Sequence, residues 1–175
     1  TFETFGCPAR IKWPNDIVVS KPGSELRLRK LGGVLVEQVS RGDAAPVHLL
    51  GIGLNLNQSP GELPEEAKLP PTSLAAARRD GQVDRTRLCR RLLEKLDDYY
   101  GKLRRGHPEE LVDRWRELSC LLGRRISARV DDHLITGKVT GLRSTGEIEI
   151  RLRDGHLKVL PPERTTLLIG PSPGN

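Results

Sequence analysis

A lysine that closely precedes two glycines is the part of this sequence best suited to chemistry. Lys30 is followed by one leucine and then by Gly32-Gly33 and the apolar run Val34-Leu35-Val36. Glycine lets the main chain approach a ligand closely because no side chain intervenes. A lysine ammonium beside such a backbone would suit a carboxylate or a phosphate. On residue type alone, an exposed and inert lysine is the more frequent case, since an unpaired buried charge is costly.

A second group of glycines lies further along the chain. In the segment 47–57, Gly51 and Gly53 occupy alternate positions. In a strand they would share one face, because successive side chains point to opposite sides. Such a face is either a seam of close packing or a shelf for a flat ligand, and both interpretations stay open. Asn55 continues the alternation and offers a side-chain amide.

The tripeptide Pro14-Asn15-Asp16 is a third polar feature. Proline ends a strand ladder because it has no N–H group. Asn and Asp after it can hydrogen-bond their own backbone and form a turn. Plain turn chemistry therefore accounts for this tripeptide without any ligand.

Short strands must position these residues. The runs at 17–19 and 34–36 are β-branched or aliphatic, and they predict the two paired strands of a buried hairpin. The connection at 20–29 contains several Lys, Arg, Pro and Gly residues and predicts a mobile basic loop. Further strands are predicted at 9–13 and 46–56.

Three helices are predicted after these strands. Thr72-Ser73 and Asp84 are capping residues for helices at 74–79 and 85–103. Pro108 starts the third helix, with acidic residues in its first turn. In the second helix, apolar residues recur at three- and four-residue steps, which indicates a face packed on a sheet. These residues are Leu88, Leu92, Leu96, Tyr99 and Leu103.

The pattern changes to short alternating runs near Ser119. Strands are predicted at 125–130, 134–142, 147–152, 157–160 and 165–169. Ser144-Thr145-Gly146 and Asp154-Gly155 are hairpin signals, and the second is the stronger. Short strands at this spacing predict a small all-β barrel. We therefore predict domains at 1–120 and 121–170, with a tail at 171–175.

Composition narrows the classes of function. The chain has 175 residues, a net charge of +6 and 3% aromatic residues. Its positive charges are interspersed, which favours a solvated basic surface, and few rings are available to stack on nucleic-acid bases. Cys7, Cys89 and Cys120 form no CxxC pair, which argues against a disulfide framework or a zinc site and favours the cytoplasm. No run is long and apolar enough for a membrane span.

Four motifs together resemble the biotin–protein ligase family. They are KWPND from Lys12, KLGGVLVE from Lys30, GIGLNLN from Gly51 and, more weakly, Thr72-Ser73-Leu74. They stand in the family's order, and the resemblance covers nearly the whole chain. It implies an α/β fold: a partial mixed sheet with helices, as in the class II synthetase-like catalytic domain of these ligases, followed by a small all-β SH3-like barrel.

The resemblance also implies an activity. Ligases of this family use ATP, with Mg²⁺ present, to activate biotin to biotinoyl-AMP. They then transfer biotin to a lysine of a biotin carboxyl carrier protein. Lys30 would be the catalytic residue, lying against the biotin carboxylate and the α-phosphate. The matching contact residues are Lys30, Gly33 and Leu35 for biotin and Asn15, Gly53 and Asn55 for the nucleotide. No metal ligand or general base is assigned.

One segment of the family has no counterpart in this sequence. The Arg/Gly-rich loop that encloses biotin and the nucleotide lies upstream of KWPND in the family. We therefore expect the chain to be a poorly stable fragment of a longer ligase, without the family's DNA-binding domain and with a homodimer left open. A related lipoate ligase is disfavoured, since KWPND and KLGGVLVE together indicate biotin.

Two functions of other classes remain. One is a non-catalytic module that binds an acceptor or a partner chain. The other is a nucleic-acid-binding protein that uses the basic surface and the barrel, which would show a strongly salt-dependent affinity.

Overall fold

The computed structural model describes residues 2–21, 24–42, 44–64, 67, 69–79 and 81–168. The chain divides into two compact units. The first consists of Thr1–Arg10 and Asn15–Glu94, and the second of Ile11–Pro14 and Lys95–Asn175. This division by internal contacts does not test the predicted domains, so the boundary after residue 120 stays a prediction.

The first unit is built on a long antiparallel ribbon. The first four strands in chain order are β1 (Arg10–Lys12), β2 (Asp16–Lys21), β3 (Ser24–Arg41) and β4 (Ala44–Leu54), of which β2 to β4 form the ribbon of the first unit. β3 pairs antiparallel with β2 through its first half and with β4 through its second half. The sheet predicted as mixed is therefore antiparallel in these pairings. The parallel bridge between Lys30 and Pro71 is an isolated one.

The predicted hairpin is confirmed as the antiparallel pair of β2 and β3, but its predicted register is wrong. Residues 17–19 pair with residues 29–32, whereas residues 34–36 pair with residues 50–52. The mobile basic loop predicted at 20–29 is also wrong for its described residues, because β2 continues to Lys21 and β3 begins at Ser24. Leu26 and Leu28 alternate with charged neighbours in this segment. That alternation has the two-residue period of a strand. The many charged residues of the segment favoured the loop prediction instead.

The helices are confirmed close to their predicted bounds. They are α1 (Leu74–Arg78), α2 (Arg85–Arg104) and α3 (Pro108–Leu118), with short 3-10 turns at Phe2–Phe5, Pro60–Glu62 and Pro162–Arg164. The hydroxyl of Ser73 accepts a hydrogen bond of 3.2 Å from the amide of Ala76 and caps α1. The carboxylate of Asp84 accepts one of 3.0 Å from the amide of Arg87 and caps α2. Both caps satisfy amides that have no partner within their own helix.

The core of the first unit is formed by residues of the ribbon, of α1, of the start of α2 and of the segments beside them. Its buried residues are Phe5, Cys7, Val19, Leu31, Leu74, Val83 and Leu88. The apolar face predicted for α2 is confirmed at Leu88, which is 2% exposed. It fails at the other end of the helix, where Leu103 is 48% exposed.

The second unit contains a five-stranded antiparallel sheet. Its strands are β5 (Arg125–Val130), β6 (His133–Leu142), β7 (Ile148–Arg151), β8 (Leu157–Leu160) and β9 (Thr165–Leu168), in the order β8-β7-β6-β5-β9. Gly146 and Gly155 have φ angles of 102° and 89° in the turns after β6 and β7. These are left-handed conformations that favour glycine. The predicted strands are confirmed; Ile169 and the predicted tail lie outside the described residues.

All three cysteines are free thiols, with Cys7 and Cys120 buried and Cys89 exposed. Among the helices that the structure describes, none combines the length and apolar character needed to cross a membrane.

Candidate active site

A β-bulge between β2 and β3 sets the direction of Lys30. Asp16 pairs with Gly33 and Val18 pairs with Lys30, so two steps along β2 correspond to three steps along β3. The extra residue shifts the alternation of faces on β3 by one position. Lys30 therefore shares a face with Gly33, whereas an unbroken strand would place these two residues on opposite faces.

The ammonium of Lys30 is paired with the carboxylate of Asp16. Nζ of Lys30 lies 2.6 Å from Oδ1 of Asp16, and the two side chains are 41% and 16% exposed. This distance is that of a short, charge-assisted hydrogen bond. The sequence pattern predicts a turn at Asp16 and does not reveal its contact with Lys30. Nothing in the local sequence indicates it, because it depends on the bulge.

The main chain at Lys30 is fixed from the side opposite β2. Its amide donates a hydrogen bond of 2.9 Å to the carbonyl of Pro70, and its carbonyl accepts one of 2.8 Å from the amide of Thr72. Thr72 is 5% exposed. The weak fourth motif, Thr72-Ser73-Leu74, therefore lies beside Lys30 and supports its backbone.

Gly33 adjoins the end of the lysine side chain. A Cβ atom at Gly33 would lie 3.7 Å from both Cε and Nζ of Lys30 and 3.3 Å from the carbonyl oxygen of Asn15. The same carbonyl accepts a hydrogen bond of 3.0 Å from the amide of Val34. Asn15 is thus tied to β3 through its main chain, while its side chain is exposed.

A glycine-rich surface continues from Gly33 onto β4. Gly33 pairs with Gly53 and Leu35 pairs with Gly51, so these four residues share one face of the ribbon. We call Gly33, Gly51 and Gly53 the glycine shelf. Of the described residues, none has an atom within 4 Å of a Cβ built at Gly53. Close packing, the alternative left open by the sequence, therefore does not explain this glycine.

The position that does require close packing is Gly32. A Cβ there would overlap the carbonyl oxygen of Gly53. Leu35, which was also a candidate core residue, is 56% exposed at the side of the shelf. Close packing thus requires glycine at Gly32, whereas a Cβ at Gly33 would lie at ordinary van der Waals distance from Lys30.

Asn55 and Asn57 follow the shelf and differ in role. The amide of Asn55 donates a hydrogen bond of 2.7 Å to the carbonyl of Leu31, and its carbonyl accepts one of 2.9 Å from the amide of Leu74. The side chain of Asn57 holds the main chain of Val83 through hydrogen bonds of 2.9 and 2.7 Å. Asn57 is a structural residue of the motif that the sequence analysis did not single out.

Other chemical groups in the described chain are poorer candidates. Burial raises the pKa of the Cys7 thiol, and the charge of Arg78 only partly opposes this effect. A raised thiol pKa disfavours the nucleophilic thiolate. A cavity of about 370 Å³ is lined by Phe5, Arg78 and Arg87, among others, and by none of the candidate residues. Within the described ranges, no group of three or more His, Cys, Asp or Glu side chains is arranged to hold a metal ion.

Comparison with known proteins supports the motif assignment. Residues 3–57 match the Biotin/lipoate A/B protein ligase family. The bifunctional ligase/repressor BirA of Bacillus subtilis (strain 168) is 27% identical over 157 residues, which is 90% of this chain and 46% of that protein. The biotin–[acetyl-CoA-carboxylase] ligase of Mycobacterium tuberculosis is 33% identical over 117 residues, which is 66% of this chain and 37% of that protein.

The fold gives the same result. The structure of the biotin protein ligase from Aquifex aeolicus in complex with biotin and ATP matches with a TM-score of 0.74 and 26% sequence identity. The match covers 96% of this chain and 65% of that one. In its motifs, its sheet and its sequence, the chain is similar to the biotin/lipoate protein ligases. The relatives and the structure named above are biotin protein ligases or ligase/repressors, so the predicted resemblance is confirmed. The chain spans less than half the length of the two relatives named above.

Proposed function

We propose that this chain carries the lysine-bearing face of a biotin–protein ligase site. The reaction would be ATP-dependent activation of biotin to biotinoyl-AMP, followed by transfer of biotin to a lysine of a biotin carboxyl carrier protein. The observation that carries the proposal is the ammonium of Lys30, half exposed and held 3.7 Å from the Cβ position of Gly33. It lies on the face of the open glycine shelf, in a chain related to a ligase solved with biotin and ATP.

The chemistry requires positioning and charge stabilisation. A carboxylate oxygen of biotin attacks the α-phosphorus of ATP, the bond to the bridging oxygen breaks, and pyrophosphate leaves. The acceptor amine then attacks the carbonyl carbon of the mixed anhydride, AMP leaves, and the amine loses a proton to solvent. Lys30 would hold the carboxylate beside the phosphate and offset the negative charge that increases on the phosphoryl oxygens.

The remaining candidate residues would form the walls of the site. Gly33 and Leu35 would contact biotin, and the exposed side chain of Asn15 would reach the nucleotide. Gly53 and Asn55 would contact the adenylate, since the open face at Gly53 admits a flat group. Mg²⁺ would offset phosphate charge. Among the described side chains, no group of three His, Cys, Asp or Glu could hold the ion. We therefore assign no residue to Mg²⁺ binding.

Residues 121–170 would form an SH3-like domain that helps to seat ATP or the acceptor. Its five-stranded antiparallel sheet is compatible with a small barrel. A cytoplasmic location is part of the same proposal. A homodimer is left open by it.

The test is biotin-dependent exchange of pyrophosphate into ATP, together with labelling of a carrier domain. Lys30→Ala is expected to lower the exchange rate about a hundredfold or more, the usual effect of removing a preorganised charge-stabilising group. Lys95→Ala is the matched control, because Lys95 is 40% exposed and Lys30 41% exposed. Equal activity of both variants would contradict the assignment of Lys30. Absence of both exchange and biotin binding by the chain would favour the non-catalytic module.

A further inference from the structure

We propose that Asp16 is a positioning residue that holds the ammonium of Lys30 beside the glycine shelf before any ligand binds. The catalytic consequence of this placement rests on the proposed ligase function. The placement itself rests on two features of the first unit: the ion pair, and the bulge that puts Lys30 on the face of Gly33.

The ion pair has a fixed end and a flexible end. Asp16 is the first residue of β2, its main chain pairs with Gly33, and its side chain is only 16% exposed. Lysine has a long stem with many rotamers and loses entropy when its end is fixed. The short carboxylate therefore determines where the ammonium lies, rather than the reverse.

The bulge makes this contact available. Without the extra residue, Lys30 and Gly33 would lie on opposite faces of β3, because they are three residues apart. With the bulge, Lys30 shares the face of Asp16 and Gly33, and its Cε and Nζ lie at van der Waals distance from the Cβ position of Gly33.

The pairing leaves the lysine able to bind a ligand. An ammonium has three donors, and the contact of 2.6 Å with Oδ1 of Asp16 uses one of them. The other two remain for an anion on the shelf, such as the carboxylate of biotin or a phosphate oxygen. Asp16 thus prepares Lys30 for the ligand and lowers the entropy lost when the ligand binds.

The test measures the mobility of lysine ammonium groups in the ligand-free chain by 15N relaxation of their Nζ atoms. Lys30 is expected to be ordered in the wild type, and in Asp16→Asn its order parameter is expected to fall below about 0.6, the flexible range. Lys95 is the internal reference, since its Nζ lies 4.0 Å from Asp98 in an exposed pair. It is expected to be mobile in both proteins.

Two controls separate positioning from general effects. Asp97→Asn makes the same change in net charge at an exposed position of α2 and is expected to leave the Lys30 signal unchanged. Far-UV circular dichroism of the variant is expected to match that of the wild type.

Either of two results would overturn the proposal. One is a Lys30 ammonium as mobile as that of Lys95 in the wild type. The other is an ordered Lys30 in Asp16→Asn. Neither measurement needs biotin, ATP or turnover. If Asp16→Asn makes the Lys30 ammonium mobile but the wild type has no ligase activity, only the proposed function is contradicted. Under that function, Asp16→Asn is also expected to lower the kcat of exchange about tenfold without raising the KM for biotin.

Discussion

The indole Nε1 of Trp13 donates a hydrogen bond of 2.7 Å to the main-chain carbonyl of Gly146, in the turn between β6 and β7. Trp13 is 1% exposed, so the tryptophan of the KWPND motif is a structural residue of the second unit. Its neighbours along the chain, Asn15 and Asp16, belong to the first unit and carry the candidate chemistry. The five-residue motif KWPND therefore contains a structural residue, Trp13, as well as the candidate site residues Asn15 and Asp16.

Removal of this hydrogen bond is expected to destabilise the protein. Trp13→Phe keeps an aromatic ring but leaves the Gly146 carbonyl without its indole donor. The free energy of unfolding is expected to fall by about 1–2 kcal/mol, measured by urea denaturation. Trp115→Phe, at a half-buried position of α3, is the matched control and is expected to cost less. A Trp13→Phe variant as stable as the wild type would contradict the importance of this bond.

The glycines of the site are expected to respond differently to alanine. Gly32→Ala forces a Cβ into the carbonyl of Gly53 and is expected to cost about 1–3 kcal/mol or more, because overpacking displaces backbone. Gly53→Ala meets open space and is expected to be neutral or slightly stabilising, by up to about 1 kcal/mol. Thermal unfolding of both variants checks this order. If the shelf binds the adenylate, Gly53→Ala is also expected to weaken nucleotide binding, and unchanged binding would count against that role.

The side chain of Asn57 is expected to be important for stability rather than for binding. Asn57→Ala removes both hydrogen bonds to the main chain of Val83, a residue that is 4% exposed. The expected loss is about 1–3 kcal/mol, since buried polar groups are left unsatisfied. Urea denaturation measures it. Asn15→Ala, at an exposed side chain, is expected to change stability little; equal losses for the two variants would be inconsistent with this distinction.

The ion pair between Asp131 and Arg164 is expected to make stability depend on pH on the acid side. The hydrogen bond from Arg164 lowers the pKa of the Asp131 carboxyl below its ordinary value. A lowered pKa in the folded state gives stability that is present above the ordinary pKa and is lost as pH falls through the folded value. Asp131→Asn suits the comparison because Asn tolerates the left-handed backbone at this position, where φ is 51°.

The measurement for this pair is the urea midpoint of both proteins at neutral pH and near pH 3. The wild type is expected to be more stable than Asp131→Asn at neutral pH, and the difference is expected to shrink in acid. A difference that stays constant across this range would show that the carboxylate charge does not contribute.

Much of the second unit could be predicted from the sequence. Alternating runs and turn glycines gave the strands β5 to β8 close to their observed bounds, because turn residues and a two-residue period are local properties of the chain. The capping residues Ser73 and Asp84 and the start of α3 at Pro108 are local in the same sense. These elements required no knowledge of distant contacts.

The first unit could be predicted only in part. β3 is 18 residues long and pairs with different strands along its length, so local periodicity did not show where one partner ends and the next begins. Strand pairing depends on contacts between distant parts of the chain, and one extra residue reverses the faces.

The motifs, the family resemblance and the candidate role of Lys30 can be read from the sequence without the fold. The pairing of Lys30 with Asp16, and the need for close packing at Gly32 but not at Gly53, follow from the fold. The bulge in β3 explains the ion pair. It sets which side chains share a face, and its position follows from the pairing of the whole ribbon rather than from any local run of residues.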